Sequence, residues 1–580
     1  MSLAEMETLD CDLLVVGAGC AGCWAAIRAA ELGARVILAE KGTVARSGTT
    51  LYCHDMLAPA KEEEVEEWLP EIVEHAEYMS DQRFAEILVR EQGERVKDML
   101  ALGVPFEMDK EGKLFQDVGR GHIKSRVILY DGRKLMEILR SQAIARGVRL
   151  VERVAVFHLL TSDGCHPSGG RVIGAIGLNT RTGKVIVFRA KAVMLSTGMV
   201  SSKVHFTFAD NLTGDGQMMA LRAGAKLAGL EFACNFKFIS PLGKRAHSGS
   251  GFIQFQTLGA YIVNAKGERF MERYLPARKE RRATKVLLAQ GMVKELMEGR
   301  GPVYFDMRHF TPEMWARAGR IIPTTVSNLE STGFNYQKDL VRVHPLVIDF
   351  GTSGSHGICI DEQGQASLPG LLAGGVAAQF KGCTEFLSGA YISYCSVFGY
   401  RAGERASQLA KEWGLQDLAK DQVQQLAQEM LAPINRRNGL RPEEVYHKLV
   451  IKLARPEIGI IKNQAKIEEM LAEVRKVAKE DLPRVGAQDV HQLIKANEVR
   501  NFVEYLEPIF MCSKERTETR LTHYRLDYPY RDDENWLKWI TVKREESGLK
   551  LGFMPVPIDT NPIKPKERKR LSPPIQFSSI

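Results

Sequence analysis

Residues 11 to 40 constrain the fold more tightly than any other stretch of the chain. Cys11-Asp12-Leu13-Leu14-Val15-Val16 is a short, largely apolar run suited to a buried parallel strand. Gly17-Ala18-Gly19-Cys20-Ala21-Gly22 follows, then a helical stretch to about Leu32, a break at Gly33 and a second strand over 34–39 that ends at Glu40. The glycines have separate tasks. Gly17 permits the tight turn, Gly19 lets a pyrophosphate approach the backbone at the helix N-terminus, and Gly22 lets the helix pack on the strand. Glu40, eighteen residues beyond Gly22, is placed to accept hydrogen bonds from a ribose, with Lys41 beside it. Strand, glycine turn, helix, strand and acid in this order predict an adenine-dinucleotide site on an α/β fold.

At 580 residues the chain exceeds one hydrophobic core, so roughly three or four domains or subdomains are expected. A hydrophobic fraction of 44% with 26% charged residues argues against a disordered or membrane-embedded chain. The net charge of +8 is diluted over 79 Lys and Arg and 71 Asp and Glu, so it is no nucleic-acid footprint. Only Lys564, Lys566, Arg568, Lys569 and Arg570 concentrate it, in what reads as a solvated tail. The N-terminus has acids and no basic residue before the first apolar run, which predicts a cytoplasmic address. The apolar stretch 13–27 is too short for a typical bilayer span. Ten cysteines are scattered without a framework, as in reduced cytosolic proteins. Cys20 and Cys23 read as small packing residues. No run of cysteines offers an iron-sulfur cluster, and no His, Cys or acidic set has metal-ligand spacing.

The glycine unit does not by itself separate a flavin from a nicotinamide dinucleotide; later segments do. Arg46-Ser47-Gly48-Thr49-Thr50 follows the second strand. Gly174–Asn179 and Val185–Phe188 look like a β-meander leading into Ala192-Val193-Met194-Leu195-Ser196-Thr197-Gly198. Thr213-Gly214-Asp215-Gly216, Leu371-Leu372-Ala373-Gly374-Gly375-Val376, Phe386-Leu387-Ser388-Gly389-Ala390 and a terminal Arg516, Arg520, His523, Arg525, Asp527, Pro529 series complete the set. Together these resemble the flavoproteins of the succinate dehydrogenase and fumarate reductase superfamily. The resemblance implies a Rossmann-like FAD-binding domain with a β-meander, an inserted capping domain and a C-terminal helical domain, α+β overall. The expected division is 1–232 and 346–410 for the FAD-binding domain, 233–345 for the cap, 411–510 for the helices and 511–580 for an extension. It also implies FAD contacts from Ser47, Gly48, Thr49, Thr50, Val154, Ser196, Thr197, Gly198, Asp215, Gly375, Val376, Ser388, Gly389 and Ala390.

The departures carry information too. Relatives that attach FAD covalently have a histidine where this chain has Gly48, so FAD is expected to be noncovalent. The His-Pro-Thr, Arg-Gly-Glu and Asn-Arg-Leu-Gly segments of fumarate and succinate enzymes read here as Phe236-Lys237-Phe238, Phe255-Gln256-Thr257-Leu258 and Thr384-Glu385-Phe386-Leu387-Ser388. Glutamine is no proton relay and Glu385 repels a dicarboxylate, which disfavours dicarboxylate chemistry. The closer likeness is to the α chains of the adenylylsulfate reductases, through the noncovalent loop and Glu298-Gly299-Arg300-Gly301-Pro302-Val303-Tyr304-Phe305-Asp306. That implies a flavoprotein subunit that reduces or oxidises a small anionic substrate in anaerobic energy metabolism, with a ferredoxin-like iron-sulfur partner. Lys237, Arg245, His247 and His356 are the candidates for anion binding and proton transfer. Two further readings stay open: an electron-transfer module without a substrate, and an enzyme like fumarate reductase, succinate dehydrogenase or L-aspartate oxidase.

Overall fold

The computed structural model describes residues 6–204, 209–240, 249–351, 355–382, 387–436, 438–567 and 570–577. Strand β1 (Glu7–Val16), helix α1 (Cys20–Glu31) and strand β2 (Val36–Glu40) form the unit read from the sequence, with β1 starting four residues earlier than its apolar run. β1 lies parallel to β2 on one edge and to Val185–Leu195 on the other; Arg149–Glu152 extends the sheet beyond β2. Strand Val185–Leu195 does two jobs along one edge. Its first half pairs antiparallel with Val172–Asn179 in the meander, and its last residues pair parallel with Leu371–Ala373. A chain segment from far downstream thereby ends beside the glycine turn.

Helix α1 is apolar or small nearly all round and buried along its length, as a helix sandwiched inside a core must be. Helix Ala390–Glu412 lies against it in parallel. The contact is backbone to backbone: a Cβ on Gly399 would fall 2.6 Å from the Ala21 carbonyl oxygen, and one on Gly403 2.6 Å from that of Ala25. Two glycines four residues apart are what permit that approach.

A second sheet centres on Leu340–Phe350, which pairs antiparallel with Cys234–Ile239, Val303–Asp306 and Val200–Ser201, while Tyr261–Val263 flanks Val303–Asp306. Residues 404–510 are mainly helical, as their periodicity predicts, with Val490–Glu515 packed on Gln464–Lys476. Ile467, Leu471 and Val474 are buried there.

The terminal extension is no loose cover. Its hairpin, Lys538–Glu545 with Gly548–Pro555, adds to Leu227–Ala228, which in turn pairs with Gly357–Ile358. The arginines of the terminal series explain the attachment. Arg516 binds Glu231 at 2.9 Å and Glu518 at 2.5 Å, and Arg520 binds Glu518 and Asp533, each at 2.7 Å, all with fully buried side chains. Removing one member of such a cluster strands the opposite charge without water, at about 3–5 kcal/mol. Arg520→Ala is therefore expected to lower the thermal midpoint by several degrees and to expose the extension to protease. An unchanged melting curve and digestion pattern would show that the cluster does not secure it.

Candidate cofactor and active site

The glycine turn opens onto a cavity of about 1500 Å³, its open mouth included. Gly17 adopts φ +97°, and a Cβ there would lie 2.5 Å from the Ser196 carbonyl oxygen. Gly22 leaves no room either: its Cβ would meet the Gly17 oxygen at 2.1 Å. Gly19 differs. Its only neighbour within 4 Å is the Thr50 hydroxyl, at 3.6 Å, so the missing side chain leaves open space directly before α1. Gly19 caps α1 with no side-chain hydrogen bond, leaving the helix end and its partial positive charge for a ligand. A pyrophosphate fits both the space and the charge.

A second helix end faces the same cavity. Gly389, at φ +78°, caps Ala390–Glu412 without a side-chain bond and lines the wall. Alignment of Gly399 with Ala21 puts this end roughly eight residues, about 12 Å, farther along than the start of α1. The two positive ends are thus spaced along an elongated ligand.

Glu40 is tied down from several sides. One carboxylate oxygen accepts from the Ala18 amide at 2.9 Å, the other from the Gly42 amide at 2.9 Å and the Ser47 hydroxyl at 3.0 Å. The oxygen bonded to Ala18 keeps a further lone pair for a ribose. Lys41 donates to Thr213 at 2.9 Å, Asp215 at 3.0 Å and Glu498 at 2.9 Å. Burial would push this amine toward neutrality, but the two carboxylates outweigh it and raise its pKa. Burial likewise opposes ionisation of Glu498, yet Lys41, Lys495 and Lys203 hold it down to about 2.

Of the expected cofactor residues, Gly17, Gly19, Glu40, Lys41, Ser47, Gly48, Thr49, Thr50, Val154, Ser196, Thr197, Gly198, Asp215, Gly375, Val376 and Gly389 line the cavity. Gly22, Ser388 and Ala390 stand just behind it. Gly22 admits the turn, and the Ser388 amide donates to the Arg120 carbonyl at 3.1 Å. Cys20 and Cys23 are buried, and burial pushes the Cys23 thiol up to about 12.

The catalytic candidates fare differently. Arg245 and His247 lie outside the described residues, as does Glu385. Lys237 sits in strand Cys234–Ile239 opposite Leu346; its side chain lies outside the described set. His356 is buried and does not line the cavity. Gln256 turns away from it as well, its amide holding the Glu280 and Ala283 carbonyls at 2.5 and 3.0 Å. Ile253 and Gln254, from helix Gly249–Thr257, face the cavity instead, with Arg120, Asn211 and Tyr391. Arg120 carried no local signal: it stands in a loop, Gly119-Arg120-Gly121-His122, that matches no motif. That loop is firmly held. Glu71 accepts from the amides of Ile123, Lys124 and Ser125 at 2.5, 3.0 and 2.8 Å, and His122 bridges the Ser125 hydroxyl and the Ser388 carbonyl.

A family model described as an FAD binding domain matches residues 12–389, and the fumarate reductase flavoprotein C-terminal model matches 447–570. The chain belongs to the FAD-binding flavoproteins of the succinate dehydrogenase and fumarate reductase family. It is an FAD-dependent oxidoreductase. A curated relative, a chain of the fumarate reductase (CoM/CoB) of Methanothermobacter marburgensis, is 26% identical over 93% of this chain and 98% of its own length. Among solved structures, an Escherichia coli quinol fumarate reductase chain superposes with TM-score 0.85 at 22% identity, over 97% of this chain and 99% of that one. Adenylylsulfate reductase of Archaeoglobus fulgidus gives 0.79 at 21%, over 95% and 96%. Both likenesses speak for the shared fold, and neither decides the branch of the family. Among the described residues no helix is long and apolar enough to cross a membrane.

Gly19→Val is expected to abolish FAD retention while leaving the apoprotein melting point near its parent value, since only ligand space is filled. Gly22→Val should lower that melting point too. Retention of flavin absorbance by Gly19→Val after gel filtration would move the pyrophosphate elsewhere. The Glu498 contribution, with a folded pKa near 2 against an ordinary 4.5, is full above pH 4.5 and lost as pH falls toward 2. Glu498→Gln should therefore melt below the parent near neutrality, with the gap closing on acidification across that window; a pH-independent gap would exclude the ion pair as its source.

Proposed function

We propose that this chain is the FAD-bearing catalytic subunit of a redox complex, binding the flavin noncovalently and exchanging electrons between a small anionic substrate and an iron-sulfur partner. The observation that carries the reading is the pairing of Arg120 with the start of Ala390–Glu412. The Ser388 amide, next to the helix cap Gly389, donates to the Arg120 carbonyl, so a guanidinium and a helix N-terminus are fixed at the same end of the cavity. The only other basic residue on the described wall, Lys41, lies at the Glu40 end and is committed to Asp215 and Glu498. Positive charge at the Arg120 end favours an anion there, or negative charge developing on the ring edge when the flavin takes up electrons.

FAD supplies hydride and electron chemistry; the chain supplies position and charge. Asn211, Gln254 and Tyr391 put hydrogen-bonding groups on the wall. That favours a substrate-binding enzyme over a bare electron-transfer module. The lost Arg-Gly-Glu pattern favours an anion other than a dicarboxylate. The reading of fumarate or succinate as substrate draws its support from the Methanothermobacter relative, whose name assigns it fumarate reduction.

Purification from the native source, with a visible spectrum and identification of associated chains, tests the complex; a flavin band without any iron-sulfur companion would overturn that half. Oxidation of reduced viologen dye by fumarate, compared with a panel of other anions, divides the substrate readings. Arg120→Gln is expected to keep bound FAD but to lower its midpoint potential, by about 30 mV for each tenfold loss in the two-electron equilibrium. Arg120→Lys should recover part of the shift. An unchanged potential would remove Arg120 from the flavin.

A further inference from the structure

On the far side of helix Asp215–Arg222 from the cofactor cavity lies a separate crevice of about 570 Å³, its open mouth included. It is walled by His158 from the meander, His166 from the following loop, Arg222, Glu429, Arg500 and Glu504 from three helices, and Arg544 from the terminal hairpin. Three guanidiniums therefore face two carboxylates. Arg222 binds Glu504 at 2.9 Å, Arg500 binds Glu504 at 2.7 Å and also pairs with Glu429, and Arg544 has no ion pair among the described residues.

The crevice is short of negative charge and of acceptors. His158 Nδ1, His166 Nε2 and Arg544 Nε are buried with no hydrogen-bond partner among the described residues. Such groups on one wall are rare in a finished core: the Arg544 donor is satisfied by an acceptor from outside, and a neutral imidazole nitrogen by a ligand that can also donate, as hydrogen phosphate does. Burial and the Arg222 guanidinium hold His166 down to about 4, and burial with Arg222 and Arg500 holds His158 well below its ordinary range. Burial also lowers Arg500, with Arg222 adding to it. The three arginines there gain from an added anion.

The crevice is also linked to the cofactor. Arg222 donates to the Asn501 carbonyl oxygen at 2.6 Å, and the Asn501 amide donates to Asp215 at 2.7 Å. Asp215 lines the cofactor cavity and holds Lys41. We propose that this crevice is a second ligand site, taking a small oxyanion such as phosphate or a carboxylate, and that its occupancy is felt at the Glu40 end of the FAD cavity through Asn501. An anion competes with Glu504 for Arg222 and Arg500, which alters the hold of Arg222 on Asn501 and so the orientation of Asp215.

The test uses the full chain with FAD bound, so that the pyrophosphate site is already filled. Inorganic phosphate and succinate are titrated separately by calorimetry into the parent and into Arg544→Gln, a half-buried position whose loss leaves the flavin spectrum as a check on folding. A saturable component is expected in the parent that is at least tenfold weaker in Arg544→Gln, as loss of one charge-assisted hydrogen bond implies, while any binding at the Arg120 end of the cofactor cavity stays as in the parent; the tighter of the two ligands in the Arg544-dependent component identifies the class. Arg544→Lys should bind at an intermediate level. Flavin release on dilution, followed by fluorescence, should change with the bound anion in the parent and not in Asn501→Asp. Absence of saturable binding by both anions, or equal binding by Arg544→Gln, means the crevice holds only water and overturns the site. Binding with no effect on flavin release overturns the coupling. Neither result bears on FAD binding itself, which the flavin spectrum reads independently.

Discussion

The site depends on one close approach, that of helix Ala390–Glu412 to α1. A side chain larger than hydrogen at Gly399 or Gly403 would push the helices apart by ångströms, and the start of the longer helix would swing away from the cavity. Because the contact is parallel, both positive ends point the same way and lie in sequence along one ligand. The rest of the wall is hung on this pair. Ser388 and Gly389 fix the Arg120 loop, Gly375 and Val376 come in on the strand beside Val185–Leu195, and the first glycine turn sits at the near end.

Charge is handled differently at the two ends. At the Glu40 end, the lysine is neutralised within the protein, and its partner Glu498 comes from a helix more than four hundred residues downstream. At the other end, Arg120 and a helix terminus line the cavity.

Much of this was legible in the sequence where the signal is local. The turn 17–22 and the glycines at 375 and 389 act through their own backbone, and Glu40 and the Thr213–Gly216 motif stand at fixed spacing from a strand end or a helix start, so their place in the sequence states their purpose. Helical periodicity placed Ile467, Leu471 and Val474 correctly for the same reason. What escaped were residues whose role is set by distant partners. Arg120 matters because Ser388 and Glu71 hold its loop; Glu498 and Asn501 look like ordinary helix surface until Lys41, Asp215 and Arg222 meet them. Gln256 and His356 stand at motif-like places, and the structure turns Gln256 toward two carbonyls and buries His356 without setting it on the cavity wall. The terminal arginines resembled a family signature, and their physical work is to neutralise buried acids.

The terminal hairpin adds a temporal consequence. Leu227–Ala228 waits for residues 541 and 542 to complete its sheet, and Lys41 waits for Glu498. During synthesis, the nucleotide fold emerges first, and its buried lysine has Asp215 but not yet Glu498 as a partner while the sheet edge at Leu227–Ala228 stands open. Contacts of such long sequence separation form late and slowly. The Lys41 corner of the cavity is thereby finished by a residue from the far end of the sequence.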